Sequence, residues 1–319
     1  MTIDRISTAA QTAYFLSQIQ NAGAALDKTQ AQIASGDNAN TYAGFGSQTQ
    51  VLTATISANA RNSAYTDATK FAVTQVSLQD TQLSSLSSLA ASLKKAVGDA
   101  VANNDASNLM TQAQSIFDQA SAILNSKDAN GDYIYAGGRT DVAPVSANSL
   151  AALQAMPAVA NTFTNGTLTK SVQVADGVTV NYGVTASDVA TGLMQALKDV
   201  ADFDAGASGN FNAATSLTSA QNTFLTNAIG QVTTVATDLN STVSANGYVA
   251  NRLSDAQDQQ TSINTLYKGF VSNIQDTNMA KAATQLSLNQ TQLQAALQVT
   301  AGLNKLSLLN YLPATGVTG

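Results

Sequence analysis

The acidic segment Asp128–Asp132 comes closer than other parts of the sequence to a metal-binding motif. It reads Asp-Ala-Asn-Gly-Asp and so begins like the oxygen-rich loop that binds calcium in EF-hands. Such a loop needs glycine at the next position and an acidic residue six positions later, where this chain has Tyr133 and Arg139. We interpret the segment as a turn, with calcium binding as the minor alternative. The sequence therefore predicts no metal site and no cofactor.

The chain of 319 residues has no histidine and no cysteine, which restricts the chemistry it could perform. Without imidazole there is no Ser-His pair and no His-containing zinc motif, and without thiols there are no disulfides. A phosphate-binding loop has Lys followed by Ser or Thr after its glycines. This pair is missing after both Gly44-Phe45-Gly46 and Gly137-Gly138. We therefore predict that the protein is not an enzyme.

The charge pattern and hydropathy exclude two further classes of partner. The net charge is −6, with only 14 Lys and Arg and no basic run, so nucleic acid is not expected as a partner. No stretch of roughly 18 apolar residues exists, so no membrane insertion is expected. The segment after Met1 has no apolar run that could serve as a cleaved signal. This predicts either a cytoplasmic protein or one exported without a cleaved signal peptide.

A mostly apolar seam runs from Leu225 to Ile274 at alternating steps of three and four residues. This 3.5-residue period is typical of a coiled coil. Because the phase continues through Asn246-Gly247, we predict one helix that crosses this dipeptide. A second long helix, Ser47–Val101, opened by a capping box at Ser47–Gln50, is the expected antiparallel partner. The predicted core of this rod is Leu83, Leu86, Leu93, Leu225, Val232, Leu239, Val249, Leu253, Ile263, Phe270 and Ile274.

Between these helices the composition shifts towards Gly, Asn, Asp and Val. We predict a hairpin over Thr162–Thr169 about Asn165-Gly166, and a second β pair from 171–174 and 178–184. A short helix is expected after Ser187. This region is predicted to be a small α+β insert.

Both ends of the chain carry weaker apolar stripes that lack obvious partners within the chain. Exposed apolar stripes of this size are typical of protein–protein contacts, and offset patches favour helical assemblies. The alternative is a closed hairpin of the two terminal helices within one chain. The predicted assembly interface is Ile6, Leu16, Ile19, Leu26, Ile33, Leu286, Leu293, Leu303, Leu306, Leu308, Leu309, Tyr311 and Leu312.

Together these patterns predict a mainly α fold, an elongated antiparallel coiled-coil bundle of long helices with a small α+β insert and adjacent terminal helices. The predicted organisation is 1–46 with 275–319 as terminal assembly helices, 47–127 with 216–274 as the rod, and 128–215 as the outer insert. The seam breaks at 275–279 and resumes one residue out of phase. A separate last helix is therefore expected there.

The segment Val271–Ala280 resembles the C-terminal signature of bacterial flagellins and hook-associated proteins, which has the form Ser-x-Ile-x-Asp-Thr-x-Met-Ala. The residues that match are Ser272, Ile274, Asp276, Thr277, Met279 and Ala280. Asn251-Arg252-Leu253 and the Leu306–Leu312 ending are also similar to this family. Gly131–Thr140, followed by Pro144, looks like the start of the insert in the hook-associated members. The loop after Ser35 lacks the Arg and paired Asp that flagellins usually carry, a departure from filament flagellin.

The resemblance implies a structural subunit of the bacterial flagellum that forms the hook–filament junction and self-assembles through its terminal helices. It implies extracellular localisation after export without a cleaved signal peptide. The implied partners are copies of itself, the hook-side junction protein, filament flagellin, an export chaperone and the flagellar export apparatus. A filament flagellin is the alternative within the family. A soluble helical surface-binding protein that uses an aromatic-lined groove in the insert is the alternative outside it.

Overall fold

The computed structural model describes residues 2–212 and 216–309, and side chains within 10–212 and 216–302. Most of the described chain is helical, as the long 3.5-residue seams and the scarcity of proline predict. The described residues form seven α-helices, α1 (Thr2–Ser35), α2 (Thr49–Ala102), α3 (Leu109–Leu124), α4 (Leu150–Gln154), α5 (Ala186–Ala205), α6 (Ser219–Gln275) and α7 (Met279–Leu309), and one antiparallel pair of strands, β1 (Lys170–Ala175) and β2 (Val178–Tyr182).

The chain folds into two compact units. Residues Met1–Ala60 and Asn264–Gly319 form the terminal unit, and Arg61–Ile263 form the central unit. The predicted fold class, mainly α with a small α+β insert, is confirmed.

In the central unit, α2 and α6 run antiparallel, and polar side chains fix their register. The amide of Asn62 donates to the carbonyl oxygen of Gln260 at 2.8 Å. Fourteen residues earlier on α6, the amide of Asn246 donates to the carbonyl oxygen of Val76 at 3.1 Å. A buried Asn in a helix seam favours one register, because a slip would leave its amide without a partner.

The hydrophobic core lies in the central unit. Its larger cluster joins α2, α3, α5 and α6, and includes Phe117, Tyr135, Leu193 and Leu225. A smaller cluster packs the inward valines of β1 and β2 against α2 and α6. Outward and inward residues alternate over Ser171–Val174 of β1 and Thr179–Tyr182 of β2, as the two-residue period of a strand requires.

The terminal unit is built on a pair of helices, α1 packed against α7. Among its described side chains, only Leu52 and Ala282 are buried hydrophobic residues. The pair therefore has a thin interface and no thick core.

Most predicted elements are confirmed. Helix α6 crosses Asn246-Gly247 without a break, β1 and β2 form the second predicted β pair, and α7 begins at Met279 after a short break.

Four predictions are wrong. The Thr162–Thr169 hairpin does not form, because Asn165-Gly166 lies in a loop held by other contacts. Ser47 lies in a 3-10 turn, and α2 begins two residues later at Thr49. Helix α5 is capped by Thr185 instead of Ser187. Phe270, predicted to lie in the core, is 49% exposed.

Candidate assembly surface

A buried polar cluster fixes how α1 packs against α7. The amide of Asn289 donates to the hydroxyl of Thr29 at 2.9 Å and to the carbonyl oxygen of Ala25 at 3.1 Å. Thr29 itself donates to the same carbonyl at 2.9 Å. Asn289 and Thr29 are 3% and 4% exposed. One register of the two helices satisfies these groups, so the pair is specified by polar contacts more than by apolar area.

A loop between α1 and α2 locks onto the junction of α6 and α7. The amide of Asn38 donates to the carbonyl oxygens of Ile274 at 2.9 Å and Asp276 at 3.0 Å. The backbone N–H of Thr277 donates to the carbonyl oxygen of Gly36 at 2.7 Å. Gly36 has φ +80°, a conformation that favours glycine. The end of α1 is thereby tied to the phase break between α6 and α7.

The segment that resembles the flagellin signature, together with Asn278 within it, builds this junction. The hydroxyl of Ser272 donates to the carboxylate of Asp276, one turn later. The side chain of Asn278 accepts from the backbone N–H of Lys281 at 3.0 Å and so caps the start of α7. Asp276 and Thr277 supply the backbone groups that pair with the α1 loop. The motif thus has a structural role, since it ends one helix, starts the next and holds both to α1.

The outer surface of the terminal unit is rich in apolar side chains. Eleven of the sixteen large exposed hydrophobic residues in the described chain lie in this unit. They are Tyr14, Leu16, Tyr42, Val51, Ile56, Leu266, Phe270, Met279, Leu288, Leu297 and Val299. This surface includes an open recess of about 300 Å³, whose walls include Tyr42, Phe45 and Ile56. Clustered exposed apolar side chains are typical of contact sites between proteins.

The predicted interface residues fall into three groups. Leu16 is 55% exposed. Ile19, Leu26, Ile33, Leu286 and Leu293 are half-buried. The side chains of Ile6, Leu303, Leu306, Leu308 and Leu309, and the whole of Tyr311 and Leu312, lie outside the described residues. Since α1 and α7 pack together, the alternative of a closed terminal hairpin describes this pair, and its outer stripes remain exposed.

Most of the predicted rod core is buried. Leu83, Leu86, Leu93, Leu225, Val232, Leu239 and Leu253 are at most 2% exposed. Val249, Ile263 and Ile274 are half-buried. Sequence reasoning missed the polar residues that fix the helix pairs, Asn38, Asn62 and Asn289. For Asn289 a signal existed, because it occupies the in-phase position three residues after Leu286.

The insert boundary is a crossing of two backbone segments. A Cβ atom on Gly137, whose φ is +58°, would lie 2.1 Å from the carbonyl oxygen of Gly166. The glycine-rich segment after Tyr135 is therefore required for this close approach. Tyr135 is fully buried, and its burial raises the pKa of its hydroxyl.

The Asp128 segment forms a turn, as predicted. One carboxylate oxygen of Asp128 accepts from the backbone N–H groups of Asn130 at 2.9 Å and Asp132 at 3.2 Å. Gly131 supplies the positive φ of the turn. Across the described parts of the chain, no group of three or more acidic side chains is placed to hold a metal ion.

The aromatic residues of the insert pack internally. Phe203 stacks on Phe224 with ring centroids 4.1 Å apart, and on Phe211 at 5.6 Å. Phe211 is 1% exposed and Tyr182 is 7% exposed. These rings fill the core and give no support to an aromatic binding groove. In the described residues, no helix is long and apolar enough to cross a membrane.

Comparison with known proteins agrees with the sequence resemblance. Residues 229–312 match the model of the bacterial flagellin C-terminal helical region. Flagellar hook-associated protein 3 from Escherichia coli K12 is 34% identical over 93 residues, which cover 28% of this chain and 29% of that protein. The same protein from Salmonella typhimurium LT2 is 35% identical over 91 residues, which cover 27% and 29%. The matched region thus spans less than a third of these relatives.

Solved structures share the fold over a larger part of the chain. A Vibrio parahaemolyticus structure, described as that of a putative flagellar hook-associated protein, has a TM-score of 0.59 at 16% identity. The aligned region covers 72% of this chain and 97% of the chain in that structure. Bacillus cereus FlgL has a TM-score of 0.50 at 12% identity, with 69% and 98% covered. The resemblance to the flagellin and hook-associated protein family is confirmed.

Proposed function

We propose that the protein is a structural, non-enzymatic subunit of the bacterial flagellum that self-assembles through its terminal unit. The observation that carries this proposal is the contrast between the two units. The central unit buries both hydrophobic clusters, whereas the terminal unit carries eleven of the sixteen large exposed hydrophobic residues in the described chain. Contacts between copies would cover this surface.

Within the flagellum we propose the hook–filament junction as its position. The two relatives that match the sequence are both named flagellar hook-associated protein 3. The Gly137–Gly166 crossing gives the insert boundary a defined geometry in the segment that resembles hook-associated members. Filament flagellin is the second candidate, favoured by the C-terminal family match alone.

The other partners follow from this position. A junction subunit contacts copies of itself, the hook-side junction protein and filament flagellin. We propose that it reaches the cell exterior through the flagellar export apparatus with the help of an export chaperone. The terminal assembly helices remain assigned to 1–46 and 275–319, the rod to 47–127 and 216–274, and the outer insert to 128–215.

Removal of the last apolar segment tests the proposal. We expect a variant that lacks 303–319 to remain a folded helical monomer, because both hydrophobic clusters lie in Arg61–Ile263. Circular dichroism would report the fold, and electron microscopy of the concentrated protein would report filaments or rings. A truncated protein that still assembles and joins flagella would contradict the proposed role of the terminal helices.

A further inference from the structure

Three Asn-Gly dipeptides occur in the chain, Asn130-Gly131, Asn165-Gly166 and Asn246-Gly247. In such a dipeptide the backbone nitrogen of the glycine can attack the side-chain amide carbon of the asparagine. Glycine permits this approach best, because it has no Cβ atom and the widest range of backbone angles. The attack needs a backbone nitrogen that can be freed and an asparagine side chain that can turn towards it. The three dipeptides differ in both respects.

Asn246-Gly247 is held inside the long helix pair. Asn246 is 6% exposed, and its amide donates to the carbonyl oxygen of Val76 at 3.1 Å and to the carboxylate of Asp80 at 3.2 Å. Helix α6 continues without a break through Gly247, so the glycine nitrogen belongs to a helical backbone. Reaction at this dipeptide would require α6 to unwind locally and to part from α2.

Asn165-Gly166 is held by the segments that it crosses. The side-chain oxygen of Asn165 accepts from the backbone N–H of Ser187 at 3.2 Å, and its amide donates to the Ser187 hydroxyl at 3.0 Å. The backbone N–H of Gly166 donates to the carbonyl oxygen of Ala136 at 2.8 Å. A Cβ atom on Gly166 would lie 2.2 Å from the carbonyl oxygen of Gly137, so the backbone has no room to turn. Both reacting groups are therefore fixed by distant parts of the chain.

Asn130-Gly131 forms the tip of the turn that begins at Asp128. Both residues are exposed, and within the described chain the side chain of Asn130 forms no hydrogen bond. The backbone N–H of Gly131 donates only within the turn, to the carbonyl oxygen of Asp128 at 3.0 Å. A Cβ atom on Gly131 would meet nothing within 4 Å. One exposed hydrogen bond has to open before the two groups can meet, and bonds at loop tips open most readily.

We propose that Asn130 is a site of spontaneous deamidation in the folded protein. The nitrogen of Gly131 gives its proton to a base in the solvent and forms a bond to the side-chain amide carbon of Asn130. The side-chain nitrogen takes up a proton and leaves as ammonia, so a five-membered succinimide ring remains. Water then opens the ring at either of its two carbonyl groups. One opening gives aspartate, and the other gives isoaspartate, in which the main chain runs through the former side-chain carbon.

The two products affect the turn differently. Both add a negative charge between Asp128 and Asp132, but isoaspartate also lengthens the backbone by one methylene group. The present length lets the N–H of Asp128 donate to the carbonyl oxygen of Asp132 at 2.8 Å, and the carboxylate of Asp128 accept from the N–H of Asp132 at 3.2 Å. That carboxylate also lies 3.9 Å from the ammonium group of Lys170 on β1. Isoaspartate is therefore expected to loosen the turn and its contact with β1.

Peptide mapping by mass spectrometry of the full chain tests the proposal. Folded protein, and a sample unfolded in guanidinium chloride, are incubated in the same mildly alkaline buffer and digested at intervals. In the unfolded sample the three dipeptides are expected to react at rates within about threefold, because each then has a flexible backbone and the same glycine. In the folded protein we expect Asn130 to react about tenfold faster, or more, than Asn165 and Asn246, whose reaction waits for a rare opening. Equal rates at the three sites of the folded protein, or a rate at Asn130 as low as that at Asn246, would overturn the proposal.

A variant and a second readout test the route of the reaction. Asn130→Gln keeps an exposed amide at the tip of the turn but would need a six-membered ring, so we expect its peptide to lose the mass gain while Asn165 and Asn246 are unaffected. A mass gain that persists in this variant would place the modification at another residue and refute the assignment. Isoaspartate in the Asn130 peptide is detected by an isoaspartyl methyltransferase with a labelled methyl donor. A deamidated Asn130 peptide that accepts no methyl group would exclude the succinimide, because direct hydrolysis gives aspartate alone.

Discussion

Replacement of Asn289 by alanine tests whether polar contacts specify the pairing of α1 with α7. In the wild-type chain its amide donates to Thr29 and to the carbonyl oxygen of Ala25, at 2.9 and 3.1 Å. Asn289→Ala removes both hydrogen bonds. It also removes the hydrogen bond that the Asn289 side-chain oxygen accepts from the Gln285 amide on the same helix at 2.9 Å. Thr29 stays bonded to the carbonyl oxygen of Ala25, so between the two helices only the two bonds from Asn289 are lost.

The magnitude follows from the number of bonds. A buried hydrogen bond contributes about 0.5–1.5 kcal/mol, so two bonds give about 1–3 kcal/mol. For local opening of the helix pair, this corresponds to amide exchange that is about 5- to 150-fold faster. Asn289→Leu is expected to restore stability by adding apolar contact, but to loosen the register, since no group then penalises a slip.

Hydrogen exchange of the segment from Ala25 to Ile33 is the assay. Gln290→Ala, at an exposed position beside Asn289, is the control and is expected to leave exchange unchanged within about twofold. If Asn289→Ala also left the exchange of this segment unchanged, the polar cluster would not hold the two helices together, and the reasoning would be refuted.

Two further predictions concern the central unit. Gly137→Ala is expected to lower the free energy of unfolding by more than about 2 kcal/mol, because its Cβ would collide with the carbonyl of Gly166. Gly131→Ala, also at positive φ but in open space, is the control and should lower the free energy of unfolding by about 1 kcal/mol. Denaturant titration measures both variants, and equal losses would contradict a close approach of the backbone at Gly137 and Gly166. The hydrogen bond from Tyr65 to Asp176 raises the pKa of the Tyr65 hydroxyl above 10.0. The stability that this hydrogen bond contributes is therefore fully present below pH 10 and is lost as the pH rises through the raised pKa of Tyr65. We expect Tyr65→Phe to abolish this alkaline part of the dependence of the free energy of unfolding on pH.

The long helices were predictable because each has a regular spacing of apolar residues in its own sequence. The steps of three and four through α6 continue across Asn246-Gly247, and the helix does the same. Asn246 is held by the carbonyl oxygen of Val76, so the side chain that usually favours a turn is used between helices. The spacing of residues along one helix was sufficient to predict that helix wherever its contacts lie along its own seam.

Predictions failed where a distant contact decided the structure. Asn165-Gly166 has the sequence of a hairpin turn, but the Asn165 amide donates to Ser187 and Gly166 lies against Gly137. Phe270 has the phase of a core residue, but it is 49% exposed. Asn38 gave no periodic signal, because it lies in a loop and its partners are 236 and 238 residues away. Single-sequence periodicity contains no information on such pairs.

The position of the protein on isolated flagella distinguishes a junction subunit from a filament subunit. Gold-labelled antibody against the insert, applied to intact flagella and viewed by electron microscopy, would show where the subunit lies. We expect one narrow band of label where the hook meets the filament. Label along the whole filament would contradict a junction role and favour filament flagellin, and flagella without label would contradict a structural role in the flagellum.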